Sequence, residues 1–154
     1  MRRLRTQPRA NWQQKVEETG LTYHTVDGAV YWDESAYYRL TTKEVDILEA
    51  AGNALHELYV RGAQHVIDRN RFAELSIPEA AIPSIVQSWD NDDFSLYGRF
   101  DLAFDGRQPP KLLEYNADTP TALVEAAVTQ WYWLQDLDKK SDQFNSIHEH
   151  LVTA

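Results

Sequence analysis

Two short stretches of alternation joined by a turn-rich loop constrain this 154-residue chain more than any other feature. Over residues 99–105, Arg99, Asp101, Ala103 and Asp105 fall on one side and Phe100, Leu102 and Phe104 on the other. That is the period of a strand with one apolar face. Asp105-Gly106 and Pro109-Pro110 bound a short loop. Residues 111–116 alternate again, with Leu112, Glu114 and Asn116 opposite Leu113 and Tyr115. Symmetric closure of the loop predicts an antiparallel hairpin in which Asp101 faces Glu114, Arg99 faces Asn116 and Ala103 faces Leu112.

Such a register has an electrostatic consequence. Two carboxylates directly opposite each other repel unless a cation lies between them. Arg99 supplies part of that charge. Asp101, Glu114 and the amide oxygen of Asn116 are also the ligands that a hard divalent ion takes, and magnesium completes its shell with water and substrate phosphates. Arg99, on the same face, carries a planar fork suited to a phosphoryl oxygen. Spacing alone fits equally a solvated hairpin face carrying a surface salt bridge.

The surroundings predict a mixed α/β domain. Thr41-Thr42-Lys43-Glu44 reads as a capping box, and Val45, Leu48, Leu55, Leu58, Val66 and Ile67 follow at helical spacing, which predicts a long helix with one buried stripe. His56 and His65 are too far apart to be ligands on adjacent turns. Ser76-Ile77-Pro78-Glu79 reads as a second capping box, and Pro83 as the end of that piece or the start of a short helix through Ile85, Val86 and Trp89. Past Asn116, Thr119 reads as an N-cap with Pro120 at the first helical position, opening a helix to about Leu137. Residues 20–40 hold Tyr23, His24, Tyr31, Trp32, Tyr37 and Tyr38, with Asp27-Gly28 as a turn, and read as an aromatic cluster packed under a loop, with one wall of a substrate pocket as the alternative.

Composition narrows the function. A formal net charge of −9 argues against a phosphate-backbone binder. Arg2, Arg3, Arg5 and Arg9 read as a basic flexible tail over residues 1–10, ahead of a domain over 11–154. No long apolar run points to a signal sequence or a membrane span, and the default compartment is the cytoplasm. With no cysteine, disulfides, thiolate metal sites and cysteine nucleophiles are excluded together.

Gly98-Arg99-Phe100-Asp101-Leu102-Ala103, Leu113-Glu114-Tyr115-Asn116-Ala117-Asp118-Thr119-Pro120-Thr121 and Glu125-Ala126-Ala127 with Gln130-Trp131 closely resemble the glutathionylspermidine synthase family, in particular its short bacterial acid–amine ligase members. Tyr23-His24-Thr25, Tyr31-Trp32, Ala36-Tyr37-Tyr38 and Gln87-Ser88-Trp89 extend the resemblance upstream, and Ser141-Asp142-Gln143-Phe144-Asn145 extends it downstream.

The resemblance implies the N-terminal part of an ATP-grasp-type synthetase that joins a carboxylic acid to an amine through an acyl phosphate, using ATP and Mg2+. It implies Asp101, Glu114 and Asn116 as magnesium ligands and Arg99, Phe100 and Asp101 as ATP contacts. Arg99 would also touch the transferred phosphoryl group and the acid substrate, and Thr119 would lie near that acid. Glutathione and a polyamine are the family's named substrates. The adenine pocket and phosphate-gripping lysines of such synthetases come from later sequence, so the chain is expected to end before the nucleotide-binding region and to be inactive alone. The amidase domain of larger relatives works through a cysteine that this chain lacks. Two readings of other classes stay open on the residues: a non-catalytic metal- or partner-binding module, and a carboxylate-pair hydrolase.

Overall fold

The computed structural model describes residues 1–118 and 120–154. Three two-stranded antiparallel sheets and a set of helices make a mixed α/β arrangement. Strand β1 (Arg2–Arg5) opens the chain, helix α1 (Trp12–Glu17) follows, and the hairpin β2 (Thr25–Val26) to β3 (Ala29–Val30) comes next. Asp27 and Gly28 both have positive φ at its tip, as a tight two-residue hairpin turn requires. Strand β4 (Ala36–Arg39) returns to pair with β1, from Arg2 opposite Arg39 to Arg5 opposite Ala36.

Residues 1–10, expected as a basic flexible tail, include strand β1. Pairing with β4 gives the backbone of Arg2–Arg5 its hydrogen-bond partners, and Arg9 is tied to Glu34.

Helix α2 (Thr42–Asp68) begins where the capping box predicts. The Glu44 N–H donates to the Thr41 hydroxyl and the Thr41 N–H donates back to the Glu44 carboxylate. Its apolar stripe has the expected period but not the expected depth. No residue of α2 is fully buried, and Leu58 is 56% exposed. The chain as a whole exposes 11567 Å², against about 8,000 Å² for a compact monomer of this mass.

The capping box at Ser76 is absent. Ser76 has a positive φ and closes a 3-10 turn over Phe72–Leu75, because its N–H is drawn to the Ala73 carbonyl. A second such turn, Glu79–Ala81, leads into helix α3 (Ile82–Asp90) with Pro83 in its first turn, which selects the helix start from the two alternatives the sequence left open. The core is small and lies around α1 and the later helices: Val16, Leu21, Phe72, Ala127 and Trp133 are buried, together with the polar Glu34 and Thr129.

Strands β5 (Arg99–Ala103) and β6 (Lys111–Asn116) form the predicted hairpin. A helical stretch over residues 123–137 follows, made of a π-helical turn (Glu125–Thr129) and helix α4 (Gln130–Leu137). Helix α5 (Ile147–Thr153) comes last, and the Asn145 amide reaches back to donate to the Ala126 carbonyl at 3.2 Å. No helix among the described residues is long and apolar enough to cross a membrane.

Candidate functional site

The β5–β6 hairpin has the predicted register at one end and departs from it at the other. Arg99 pairs with Asn116, Phe100 with Tyr115 and Asp101 with Glu114, after which the ladder skips a residue: Leu102 pairs with Leu112 and Ala103 with Lys111. The expected pairing of Ala103 with Leu112 is thus replaced. A β-bulge at Leu113 accounts for the shift, and it leaves Leu113 68% exposed. The skip brings Leu112 opposite Leu102 on the apolar side, where a regular ladder would have turned it to the charged face.

The apolar side is anchored by aromatic packing. Phe100 and Tyr115 stack with centroids 4.1 Å apart, and Tyr59 of α2 packs against Tyr115 at 4.8 Å and Phe100 at 6.0 Å. Gly98 belongs to this arrangement, because a Cβ there would lie 2.6 Å from the Tyr115 ring. With Phe100 and Tyr115 held on α2, alternation turns Arg99, Asp101, Glu114 and Asn116 to the opposite face.

On that face the polar groups engage one another in two pairs. The Arg99 guanidinium donates to Asp101 through Nε at 2.7 Å and Nη2 at 3.3 Å. The Asn116 amide donates from Nδ2 to Glu114 Oε1 at 2.9 Å. The hydrogen bond from Arg99 holds the Asp101 carboxyl below its ordinary pKa, partial desolvation opposes it, and a hydrogen bond with Glu114 lowers it further. The carboxylate repulsion expected from the register is met here by donors from the same strands. The exposed oxygens of Asp101, Glu114 and Asn116 share one face, a donor set that fits a hard cation. Among the described residues, no group of three or more His, Cys, Asp or Glu side chains converges as metal ligands would.

Arg99 also reaches beyond the hairpin. Its Nη1 donates to the Thr121 carbonyl at 2.7 Å and the Thr121 hydroxyl at 3.1 Å, and Tyr97 Oη donates to the Pro120 carbonyl at 2.6 Å. These bonds hold residues 120–121 out of the helix, which starts at residue 123 and not at Pro120. Ala122 makes the turn with a φ of 67°, a strained value for a residue with a Cβ, and its carbonyl accepts the Ala126 N–H at 3.1 Å. Thr119 lies outside the described residues. Thr121 falls within the helix start expected at Thr119-Pro120, yet it serves instead as a partner of Arg99. The missed signal was its hydroxyl, placed where an arginine on the preceding strand can reach it.

The aromatic segment also departs from expectation. Tyr23 and Tyr31 stack on each other with centroids 5.1 Å apart, yet they are 56% and 46% exposed and are not packed under a loop. Backbone bonds from Tyr31 and Trp32 to the His24 carbonyl, at 2.9 and 3.1 Å, close the hairpin base and set the two rings side by side.

The family model for the glutathionylspermidine synthase preATP-grasp region matches residues 3–154. A Haemophilus influenzae protein named "Putative acid–amine ligase" is 39% identical over 149 residues, covering 94% of this chain and 38% of its own length. Trypanothione synthetase of Crithidia fasciculata is 29% identical over 146 residues, covering 91% of this chain and 20% of its own length. The bifunctional glutathionylspermidine synthetase/amidase of Escherichia coli is 29% identical over 137 residues, covering 87% and 22%. The chain thus spans well under half the length of these curated relatives, and it belongs to the glutathionylspermidine synthase preATP-grasp family.

Proposed function

We propose that this chain contributes the magnesium and phosphoryl edge of an ATP-dependent ligase that joins a small-molecule acid to an amine in the cytoplasm. The observation that carries the reading is the common face of Arg99, Asp101, Glu114 and Asn116 within a segment matched to a ligase family. Asp101, Glu114 and Asn116 would hold Mg2+, whose charge would be supplied to the phosphates of ATP. Arg99 and Asp101 would face ATP, while Phe100, whose ring packs on the other side of the hairpin against Tyr59 and Tyr115, would meet it only through its backbone. The Arg99 fork now lies on Asp101 and Thr121, and it is the group that would grip a phosphoryl oxygen and the substrate carboxylate. Thr119 would line the acid.

In this reaction the substrate carboxylate attacks the γ-phosphorus of ATP and ADP leaves. The amine nitrogen then attacks the acyl carbon, phosphate departs, and the amine loses a proton. Charge spread over the phosphoryl oxygens is the main load on the site, which is why arginine and carboxylate-held cations suit it. Glutathione and a polyamine are the substrate pair taken from the relatives' names, with an ATP-grasp portion supplying the adenine pocket.

The test uses the protein carrying that ATP-grasp portion, assayed for ADP release that requires both acid and amine. Arg99→Ala, Asp101→Ala and Glu114→Ala should each abolish turnover while circular dichroism stays unchanged, and the present chain alone should release no phosphate from ATP. Normal turnover in all three variants would remove the assignment. A carboxylate-pair hydrolase would instead act on a glycoside without ATP.

A further inference from the structure

The β1–β4 pair and the loop of the β5–β6 hairpin bring together three arginines that the metal edge does not use. Arg2 of β1 stands directly opposite Arg39 of β4, and Leu4 stands opposite Tyr37 two residues along. Opposite residues share a face of the sheet, and so do residues two apart along a strand. Tyr37 packs against the buried Trp133 with ring centroids 5.3 Å apart. That contact turns Arg2 and Arg39 to the core side of the pair, while Arg3 and Arg5 take the other face. Two like charges set directly opposite destabilise a strand pair unless a counter-charge lies between them.

The hairpin loop supplies the third arginine. Asp105 Oδ1 accepts the backbone N–H groups of Arg107 and Gln108, both at 2.8 Å, which shapes the turn. Gly106 has a φ of 78° and sits against the start of α2, where a Cβ would lie 2.7 Å from Glu44 Oε1. The loop is thereby held beside the β1–β4 pair, and Arg2, Arg39 and Arg107 line one solvent-open cavity of about 830 Å³.

Two carboxylates line the same cavity, and both are already engaged. Glu44 accepts from the Met1 ammonium and from the Thr41 backbone and hydroxyl. Asp105 is held below its ordinary pKa of 3.8 by the N–H groups of Gln108 and Arg107, with the Arg107 charge adding to them. The Met1 ammonium and three guanidiniums therefore face two carboxylates. Among the described residues, Arg2, Arg39 and Arg107 form no ion pair, whereas Arg9, Arg61, Arg71 and Arg99 each have a carboxylate partner. In a chain of net charge −9 carboxylates are plentiful, so three gathered arginines without one run against the composition.

Guanidinium forks match phosphate oxygens in pairs. Three of them from separate segments suit an anion with several phosphoryl groups better than a single carboxylate. The net charge disfavours a phosphate-backbone polymer, which points to a small anion. The metal edge lies at the far end of the hairpin, since the strand from Arg99 to Ala103 alone spans roughly 14 Å.

We propose that Arg2, Arg39 and Arg107 form a binding site for a small polyphosphate anion, either the phosphate chain of a nucleotide or a free oligophosphate. The site goes beyond the ligase reading and does not depend on it.

Tripolyphosphate is the probe, titrated into the purified chain by calorimetry with EDTA present at about 0.15 M salt, where neither a metal ion nor unscreened attraction supports binding. Saturable binding of one anion per chain is expected. Arg39→Gln and Arg107→Gln should each weaken it about tenfold or more, since each removes a charge-assisted contact. Arg39→Lys keeps the charge without the fork and should recover part of the loss. Arg3→Gln, an equal loss of charge on the opposite face of β1, should leave the affinity within about twofold of wild type. No saturable binding, wild-type affinity in both Arg39→Gln and Arg107→Gln, or an equal loss in Arg3→Gln would overturn the site.

Arg99→Ala separates the site from the metal edge. Binding should survive it, and loss there with retention in Arg107→Gln would place the anion on the Arg99 face and overturn the proposal. The same titration in the protein carrying the ATP-grasp portion should again depend on Arg107. Loss of that dependence would show the arginines covered by acidic groups of the longer chain, and would overturn it too. ADP and pyrophosphate then identify the source. Arg107-dependent binding about tenfold tighter for ADP indicates a nucleotide and equal binding indicates a free oligophosphate, and both results support the site.

Discussion

Two of the chain's arginine–carboxylate constellations, around Arg9 and around Arg99, are built from the same chemistry to different ends. Around Arg9, the arginine–glutamate pair is enclosed and each charge is matched, with Lys15 and Asp136 closing the network at the surface. The Arg9 and Glu34 side chains are 7% and 0% exposed, and Glu34 accepts from Arg9 Nη2 at 2.6 Å, from the Arg9 backbone N–H at 3.1 Å and from Trp32 Nε1 at 3.2 Å. Arg9 Nη1 and Lys15 Nζ both reach Asp136, at 2.9 and 2.6 Å, so one network ties residues 9, 15, 34 and 136 together. Burial alone would depress the Arg9 pKa, and the hydrogen bonds to Glu34 and Asp136 more than reverse that. Around Arg99, the pair with Asp101 is open to water and Glu114 is answered by an amide. A closed network leaves nothing for a ligand to do. An open one has charges that a substrate or cation can claim without first paying to break a buried bond.

The sharpest way to break this comparison is to unbalance the closed network. Glu34→Ala strands the Arg9 guanidinium in the interior, and losing one partner of a buried pair costs about 3–5 kcal/mol. Urea denaturation of the chain should show a loss of that size, with the β1–β4 pairing and the 123–137 helix loosening together. A loss below about 1 kcal/mol would mean that water reaches Arg9 and that the two constellations do not differ in kind.

Acid separates them further. Asp136 is held below its ordinary pKa of 3.8, first by Lys15, against some desolvation, and then by Arg9. Asp101 is held below the same value, first by Arg99. A carboxylate with a depressed folded pKa contributes stability that is fully present above its unfolded value and is lost as pH falls through the folded one. Asp136→Asn should therefore lower stability at pH 7, and its difference from wild type should shrink below about pH 3.8. Asp101→Asn should shift the acid-unfolding curve less, because Asp101 answers one cation near the surface whereas Asp136 answers both Lys15 and the enclosed Arg9. Equal shifts from the two variants would show that the hairpin pair is structural.

How much of this was legible in the sequence follows from how local each feature is. The capping box at Thr41, the Pro83 helix start, the Asp27-Gly28 turn and the alternation on each side of Gly106 are written in neighbouring residues, and the structure has all four. The closed network was not legible, because Arg9, Glu34 and Asp136 are joined only by the tertiary fold. The same holds for Arg2–Arg5, whose pattern looks like a solvated tail until β4 is beside it. The stripe of α2 was read with the right period, but how deeply it is buried depends on what packs against it. At the site, face and register near Asp101 followed from alternation, whereas the Thr121 contact required knowing that Ala122, an alanine, would take a left-handed turn.

The smallest expected effect concerns the bulge, where two adjacent leucines made the register ambiguous. Either Leu112 or Leu113 could have occupied the apolar side, and closure without a skip would have chosen Leu113 to join Tyr115. The observed ladder sets Leu112 opposite Leu102 and leaves Leu113 outside. The gain is that Glu114 and Asn116 keep their places beside Asp101 and Arg99 while the loop end of the strand still offers an apolar residue to the apolar face. If the bulge is set by Leu112, the side chain at residue 113 is nearly free of constraint. Leu113→Ser should then change stability by no more than about 0.5 kcal/mol, as for other exposed positions. Leu112→Ser should cost clearly more, since it removes half-buried apolar area from the cross-strand pair. Cross-strand nuclear Overhauser contacts between the backbones of Asp101 and Glu114 should persist in Leu113→Ser. Their loss there would show that residue 113 sets the register after all, and that the open constellation depends on a leucine that touches none of its charged groups.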